Sequence, residues 1–278
     1  MRNVKLQDVT ERVRELILKI GVSLDKDCVE IMRKASAEEV GAAAFALDIM
    51  LKNAVLAEKT ASPVCQDTGM AVVFVKIGQE VSLSGGFIGD AINEGVRQAY
   101  QDGYFRKSVL DPLTRINTKD NTPAVIHYEI VPGEEFSVEI MLKGFGSENM
   151  SRLYMLSPSE GKEGVERAII RSVTEAGGNP CPPVCVGVGI GGTMEKAALM
   201  SKHALMRGVN EFSSDRELAD MEKRLLREIN ATGVGPQGFG GKLTCMQVAI
   251  EKYPTHLAGL PVAVTMQCHA VRHGKFTL

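Results

Sequence analysis

Residues 63–69, Pro-Val-Cys-Gln-Asp-Thr-Gly, set a cysteine, an amide and a carboxylate side by side in one tight turn. An amphipathic helical pattern runs up to this turn, and a Val-rich strand, 70–77, leaves it. Proline opens it with a preset φ, and glycine closes it where a positive φ costs little. Side chains on such a turn point to solvent or to a ligand. Cys65, Gln66 and Asp67 therefore offer a thiolate, a hydrogen-bonding amide and an acid to a metal or acid–base site.

The 278 residues suffice for one large domain or two small ones. Hydrophobic residues make up 44% and charged residues 24%, ordinary values for a globular protein. A net charge of −2 provides no evident basic surface for nucleic acid, and no nucleic-acid-binding motif stands out. No apolar run reaches the roughly 18 residues of a spanning helix. The N-terminus turns amphipathic at once and lacks a signal-peptide apolar core, so a cytoplasmic protein is expected. Six cysteines without such a signal argue against a disulfide framework and for metal binding, catalysis or burial.

In chain order, Asp8 and Glu11 have capping-box spacing before an apolar helical run that ends at Gly21. A short helix is expected over 25–34. A third, opened by Ser36 and Glu39, should reach about 59. The strand 70–77 is followed by a helix over 87–101 and a long irregular stretch, 102–123. Long ordered loops often carry function. Runs 124–131 and 136–142 read as a hairpin across Pro132–Glu135. A glycine-rich polar loop, 143–149, follows. Then come a helix over 160–176, a strand over 184–190, a helix over 193–206 and a charged helix opened by Ser214. Strand-like runs 243–253 and 261–268 finish the pattern. The fold class expected is α+β (irregular α/β). A single domain, 1–278, combines a helical N-terminal lobe, 1–60, with a mixed-sheet region and packed helices, 61–278.

The cysteines divide by context. Cys28 falls on a helix, and Cys185 and Cys245 lie inside apolar strand runs, where burial is the plain reading. Cys65, Cys181 and Cys268 each sit at the mouth of an element, where ligands are usually placed. Zinc sites show close cysteine pairs, and the pair Cys181 and Cys185 straddles two prolines. Three scattered cysteines better suit an iron–sulfur cluster that leaves one iron open as a Lewis acid.

Gly187-x-Gly189-x-x-Gly192 matches a dinucleotide fingerprint in letters, but its first two glycines lie within the strand. Close strand–helix packing is the plainer reading, and an anion site at the helix N-terminus the alternative. Gly233–Lys242 lacks the Ser or Thr of a phosphate loop. Arg106, Arg115, Lys143, Lys242 and Arg272 sit beside turns, each readable as a solvated charge. Arg106, in the long loop, has the best claim on a carboxylate.

Taken together, PVCQDTG at 63–69, DNTPA at 120–124, KGFGSEN at 143–149, CPP at 181–183, GIGGT at 189–193, GPQGFGGK at 235–242 and QCHAVRH at 267–273 resemble the alpha subunit of the class I, iron–sulfur fumarate hydratase and L(+)-tartrate dehydratase family. The resemblance implies that Cys65, Cys181 and Cys268 hold a 4Fe–4S cluster with one unliganded iron. It implies that Gln66, Asp67 and Arg106 face a dicarboxylate, with Lys143, Gly144 and Gly146 lining the pocket. Asp67 would be catalytic, orienting or sharing protons with the base. Fumarate hydration to L-malate is the first activity implied, and dehydration of L-tartrate the same-class alternative. A non-catalytic cluster-binding or assembly module is the reading from another class.

Single-chain relatives carry a further domain with more catalytic residues, and this sequence stops ten residues after Cys268. A separate beta subunit of about 200 residues is therefore expected, in a hetero-oligomer whose alpha chain alone is inactive.

Overall fold

The computed structural model describes residues 2–278. Its elements run β1 (Arg2–Lys5), α1 (Leu6–Val22), α2 (Lys26–Ser36), α3 (Gly41–Thr60), β2 (Met70–Gly78), β3 (Val81–Ser84) and α4 (Ile88–Asp102). They continue with β4 (Val125–Val131), β5 (Phe136–Lys143), α5 (Phe145–Glu148), β6 (Arg152–Leu156), α6 (Gly161–Ala176) and β7 (Val184–Gly191). The chain closes with α7 (Met194–Ala204), α8 (Arg216–Ala231), β8 (Cys245–Tyr253), β9 (Leu260–Gln267) and β10 (His273–Thr277). Helices and mixed sheets make this an α+β fold, as expected.

The contacts group the chain into two compact units. One comprises the residues up to Leu24, 53–145 and 272–278, and the other 25–52 and 146–271. The first unit holds a four-stranded sheet in the order β10-β5-β2-β4 and a small pair, β1 with β3. Ala71, Val73 and Val75 of β2 and Val138, Ile140 and Leu142 of β5 alternate onto one face. Leu6, Val9, Val13, Ile17 and Ile20 of α1 and Ile88, Ile92, Val96 and Ala99 of α4 cover that face at helical spacing. Each such large side chain contributes about 1.5–3 kcal/mol on burial. Gly95 lets the two helices cross closely, since a Cβ there would lie 2.7 Å from the Thr10 carbonyl oxygen.

Strands β4 and β5 both form, but not as a hairpin. β2 lies between them, parallel to β4 and antiparallel to β5. The connection, 132–135, crosses the end of β2. There Gly78 N–H donates to the Glu135 carbonyl at 2.7 Å, and a Cβ on Gly78 would lie 2.2 Å from the Gly133 oxygen. The nearly continuous apolar run of β2 suits a central strand, buried on both faces. Other boundaries moved too. Helix α1 starts at Leu6 without a side-chain cap, so Asp8 lies in its first turn. Ser36 ends α2 instead of opening α3, and the cap of α8 is Asp215. The loop 143–149 contains the short helix α5, and strands β1, β3, β6 and β10 have no counterpart in the sequence pattern.

The second unit holds the sheet β6-β9-β7-β8. Val184, Val186 and Val188 of β7 share a core with Val248 and Ile250 of β8, Val262 and Val264 of β9, and the apolar faces of α6 and α8. Helix α7 packs on β7 through Gly187 and Gly189. Cβ atoms there would lie 2.0 Å and 2.1 Å from the carbonyl oxygens of Ser201 and Ala197. The fingerprint-like glycines thus serve close strand–helix packing.

Candidate active site

In the first unit the turn 65–69 is held from beneath by buried hydrogen bonds. The Tyr100 hydroxyl donates to the carbonyls of Thr68, at 2.9 Å, and Gly69, at 2.8 Å. Burial pushes the Tyr100 phenol well above its ordinary pKa, so it stays a donor. Gly69 has φ +81°, and a Cβ would lie 2.9 Å from the Lys143 nitrogen, so only glycine lets β5 approach this closely.

Two segments that are distant in sequence complete this region. The Asp67 carboxylate accepts from the N–H of Gly69 at 3.0 Å and of Phe145 at 2.8 Å. The Asp67 carbonyl accepts from Arg272 Nη1 at 2.7 Å. Arg272 is 1% exposed, and its buried Nε has no hydrogen-bond partner among the described residues. Lys143 is equally buried and donates from Nζ to the Gly144 carbonyl at 3.1 Å. Gly144 leaves room for both neighbours, since a Cβ there would lie 3.3 Å from Arg272 Nη2 and from an Asp67 carboxylate oxygen.

The long loop, 102–123, is anchored to the same turn. Thr68 Oγ1 donates to the Arg106 carbonyl at 2.8 Å. Asn121, fully buried, accepts from the N–H of Ser108 and Val109 and donates from Nδ2 to the Gly69 carbonyl at 3.2 Å. The side chains of Gln66 and Arg106 are exposed. Cys65, Gln66, Asp67, Arg106, Lys143 and Gly144 therefore belong to one unit around one turn.

Cys181, Cys268 and Gly146 belong to the second unit. Cys181 has φ +56°, a left-handed conformation costly for a residue with a Cβ. Its carbonyl accepts from the His269 N–H at 3.4 Å and from Nδ1 at 3.1 Å, which joins the Cys181 loop to the residue after Cys268. A carbonyl can only accept, so His269 carries its proton on Nδ1.

Cys65, Cys181 and Cys268 are all half-exposed, whereas Cys28, Cys185 and Cys245 are buried. Burial pushes the Cys28 and Cys185 thiols well up and the Cys245 thiol up to about 12. The second trio stays protonated, which is poor chemistry for a metal ligand. Among the described residues, no three His, Cys, Asp or Glu side chains gather closely enough to hold a single metal ion.

Sequence reasoning passed over Tyr100, Thr68 and Asn121 and treated Arg272 as a solvated charge. Asn121 and Arg272 lie in the segments DNTPA and QCHAVRH, and that placement was the available signal. No local pattern marks Tyr100, one apolar-face residue among many on α4.

A sequence model of the fumarate hydratase (fumerase) family matches residues 10–277. The chain belongs to that family. It is 40% identical over 276 residues to a putative L(+)-tartrate dehydratase subunit alpha of Methanocaldococcus jannaschii, covering 97% of this chain and 96% of that one. It is 31% identical over 271 residues to the L(+)-tartrate dehydratase subunit alpha of Escherichia coli K12, covering 96% and 89%. The fumarate hydratase family and these relatives make this chain part of a hydro-lyase. Among the described residues, no helix is long and apolar enough to cross a membrane.

Proposed function

We propose that this chain, with a beta subunit, catalyses the reversible hydration of fumarate to L-malate in the cytoplasm. In this reading Cys65, Cys181 and Cys268 hold a 4Fe–4S cluster. The donor chemistry suits it: three half-exposed thiols lie on loops, while the other three are sealed as neutral thiols. Cysteines of such a cluster bind different irons, so they need not crowd around one ion. When bound, the cluster supplies Lewis-acid activation of the departing or entering hydroxyl.

The chain's own residues do the rest. Arg106 and Gln66, exposed on the turn and the adjoining loop, bind the substrate carboxylates. Lys143, Gly144 and Gly146 line the pocket. The Asp67 carboxylate, fixed by two N–H donors, orients the base and shares its proton. One observation carries this reading: a buried arginine and two main-chain amides aim an acid beside Cys65 in a family of hydratases. The relatives named as alpha subunits support a partner chain, and without it we expect negligible turnover.

A second reading, dehydration of L-tartrate, is favoured by the names of those relatives. Its substrate differs from malate by one hydroxyl. Anaerobic turnover of both substrates by the co-expressed subunits decides between them. Fumarate turnover well above tartrate turnover is expected, and the reverse selects the second reading. Full activity of the isolated chain would refute the need for a partner.

A further inference from the structure

We propose that Gln237 is a positioning residue that holds Cys181 in its ligating conformation. The inference rests on the reading that Cys181 is a cluster ligand. Gln237 tips a hook formed by residues 233–242. The hook closes on itself through Gly238 N–H to the Gly235 carbonyl at 3.0 Å and Gly240 N–H to the Val234 carbonyl at 2.9 Å. Glycine is needed in it, since a Cβ on Gly235, at φ +69°, would lie 1.8 Å from the Gly240 oxygen. Its base is anchored separately. The Glu39 carboxylate accepts from the N–H of Lys242 and of Leu243, and Gly235 N–H donates to Thr244 Oγ1 at 3.0 Å.

The hook keeps its shape and place by these bonds, without the Gln237 side chain. That side chain is turned on the cysteine loop instead. Gln237 donates twice to the Pro182 carbonyl, from its main-chain N at 2.8 Å and from Nε2 at 3.1 Å. Pro182 follows Cys181, whose left-handed φ persists only while the surroundings hold it. His269 grips the Cys181 carbonyl and Gln237 the next one. Two consecutive carbonyls fixed from two segments hold the backbone immediately after the Cys181 Cα, and with it the direction of the thiol. Gln237 itself has φ +54°, so it sits in a conformation that glycine adopts more readily.

The last point allows a clean test. Gln237→Gly removes the amide and relieves the backbone, Gln237→Met removes the amide and keeps the length, and Gln237→Lys keeps a long donor. Each is made in the full chain co-expressed with its partner subunit, beside Cys181→Ser. Cluster content after anaerobic reconstitution is read by iron, sulfide and visible absorbance. Resistance of the bound cluster to a chelator is read as a rate. We expect Gln237→Gly and Gln237→Met to lose cluster roughly tenfold faster than wild type, with Gln237→Lys close to wild type. Alkylation of Cys181 in the apo chain should quicken in the first two variants while Cys65 is unchanged, and the melting temperature of Gln237→Gly should not fall.

Wild-type cluster retention and Cys181 alkylation in Gln237→Gly and Gln237→Met, with Cys181→Ser empty, overturn the inference and leave the cluster reading standing. Equal loss in all three Gln237 variants together with a lower melting temperature also overturns it, since the role is then folding. A wild type without cluster, or a Cys181→Ser variant as full as wild type, brings down the cluster reading and the inference with it.

Discussion

Arg272 Nη1 donates a 2.7 Å hydrogen bond to the main-chain carbonyl of Asp67, across 205 positions of sequence. The residue just before β10 thereby fixes the turn that opens β2. Arg272 also accepts, at its own carbonyl, the N–H of Leu142 at 2.9 Å, so the same residue ties in the end of β5. Turn, strand end and loop 143–145 form one rigid patch around the Asp67 carboxylate.

Arg272→Lys keeps the charge but loses the planar fork. It should lower turnover by roughly 100-fold with a modest stability change. Arg272→Met removes a buried charged donor and should cost about 2 kcal/mol of unfolding free energy as well. Urea unfolding and steady-state assays separate the two effects. Wild-type turnover of Arg272→Lys would show that charge alone suffices.

Gly69 and Gly133 share φ +81° but differ in surroundings. A Cβ at Gly133 meets nothing within 4 Å, whereas at Gly69 it meets the backbone of Leu142 and Lys143. Gly133→Ala should cost about 1 kcal/mol from backbone strain alone. Gly69→Ala adds a backbone clash and should cost about 3 kcal/mol or more, with loss of activity. Chemical denaturation of both variants checks the difference.

The six cysteines should separate by reactivity. In the apo protein at mildly alkaline pH, an alkylating reagent should label Cys65, Cys181 and Cys268 and spare Cys28, Cys185 and Cys245, as peptide mass mapping can read. The buried thiols also make stability pH-dependent. Their folded pKa values lie above the ordinary 9.0, so the unfolded chain ionises first. Their contribution is complete below about pH 9 and is lost as pH rises towards the folded value, about 12 for Cys245. Cys245→Ala should flatten the alkaline limb of the stability curve.

Glu222 is fully buried in the second unit. One carboxylate oxygen accepts from Arg207 Nη2 and from the Ile250 N–H, both at 2.7 Å, and the other accepts from the Ser213 N–H at 2.8 Å. Glu222→Ala leaves the arginine without its carboxylate and two amides unpaired and should cost about 3–5 kcal/mol. The double variant Glu222→Met/Arg207→Met should cost less than the single one. A larger cost for the double variant in urea unfolding would contradict this account.

Helices α4 and α6 and strand β2 were readable because a periodic apolar face is a local property of the chain. Caps were less readable. Asp8 and Ser36 had suitable spacing, yet α1 begins at Leu6 directly after β1, and α2 runs on through Ser36. The pairing of β4 and β5 was misread because a short connection makes neighbours in sequence the natural guess. The apolar β2 instead takes the centre, and Gly78 lets the connection pass over its end.

By itself the sequence determined that Cys65, Gln66 and Asp67 share a turn between helix and strand, and that three cysteines fall on loops and three in apolar runs. Those are consequences of residue type and short-range spacing. Tertiary structure alone decided that Arg272 is buried against Asp67, that Tyr100 and Asn121 brace Gly69 from below, and that His269 and Gln237 grip the Cys181 loop. Whether a charge is solvated or a carbonyl is gripped depends on partners tens to hundreds of positions away, and no local period records them.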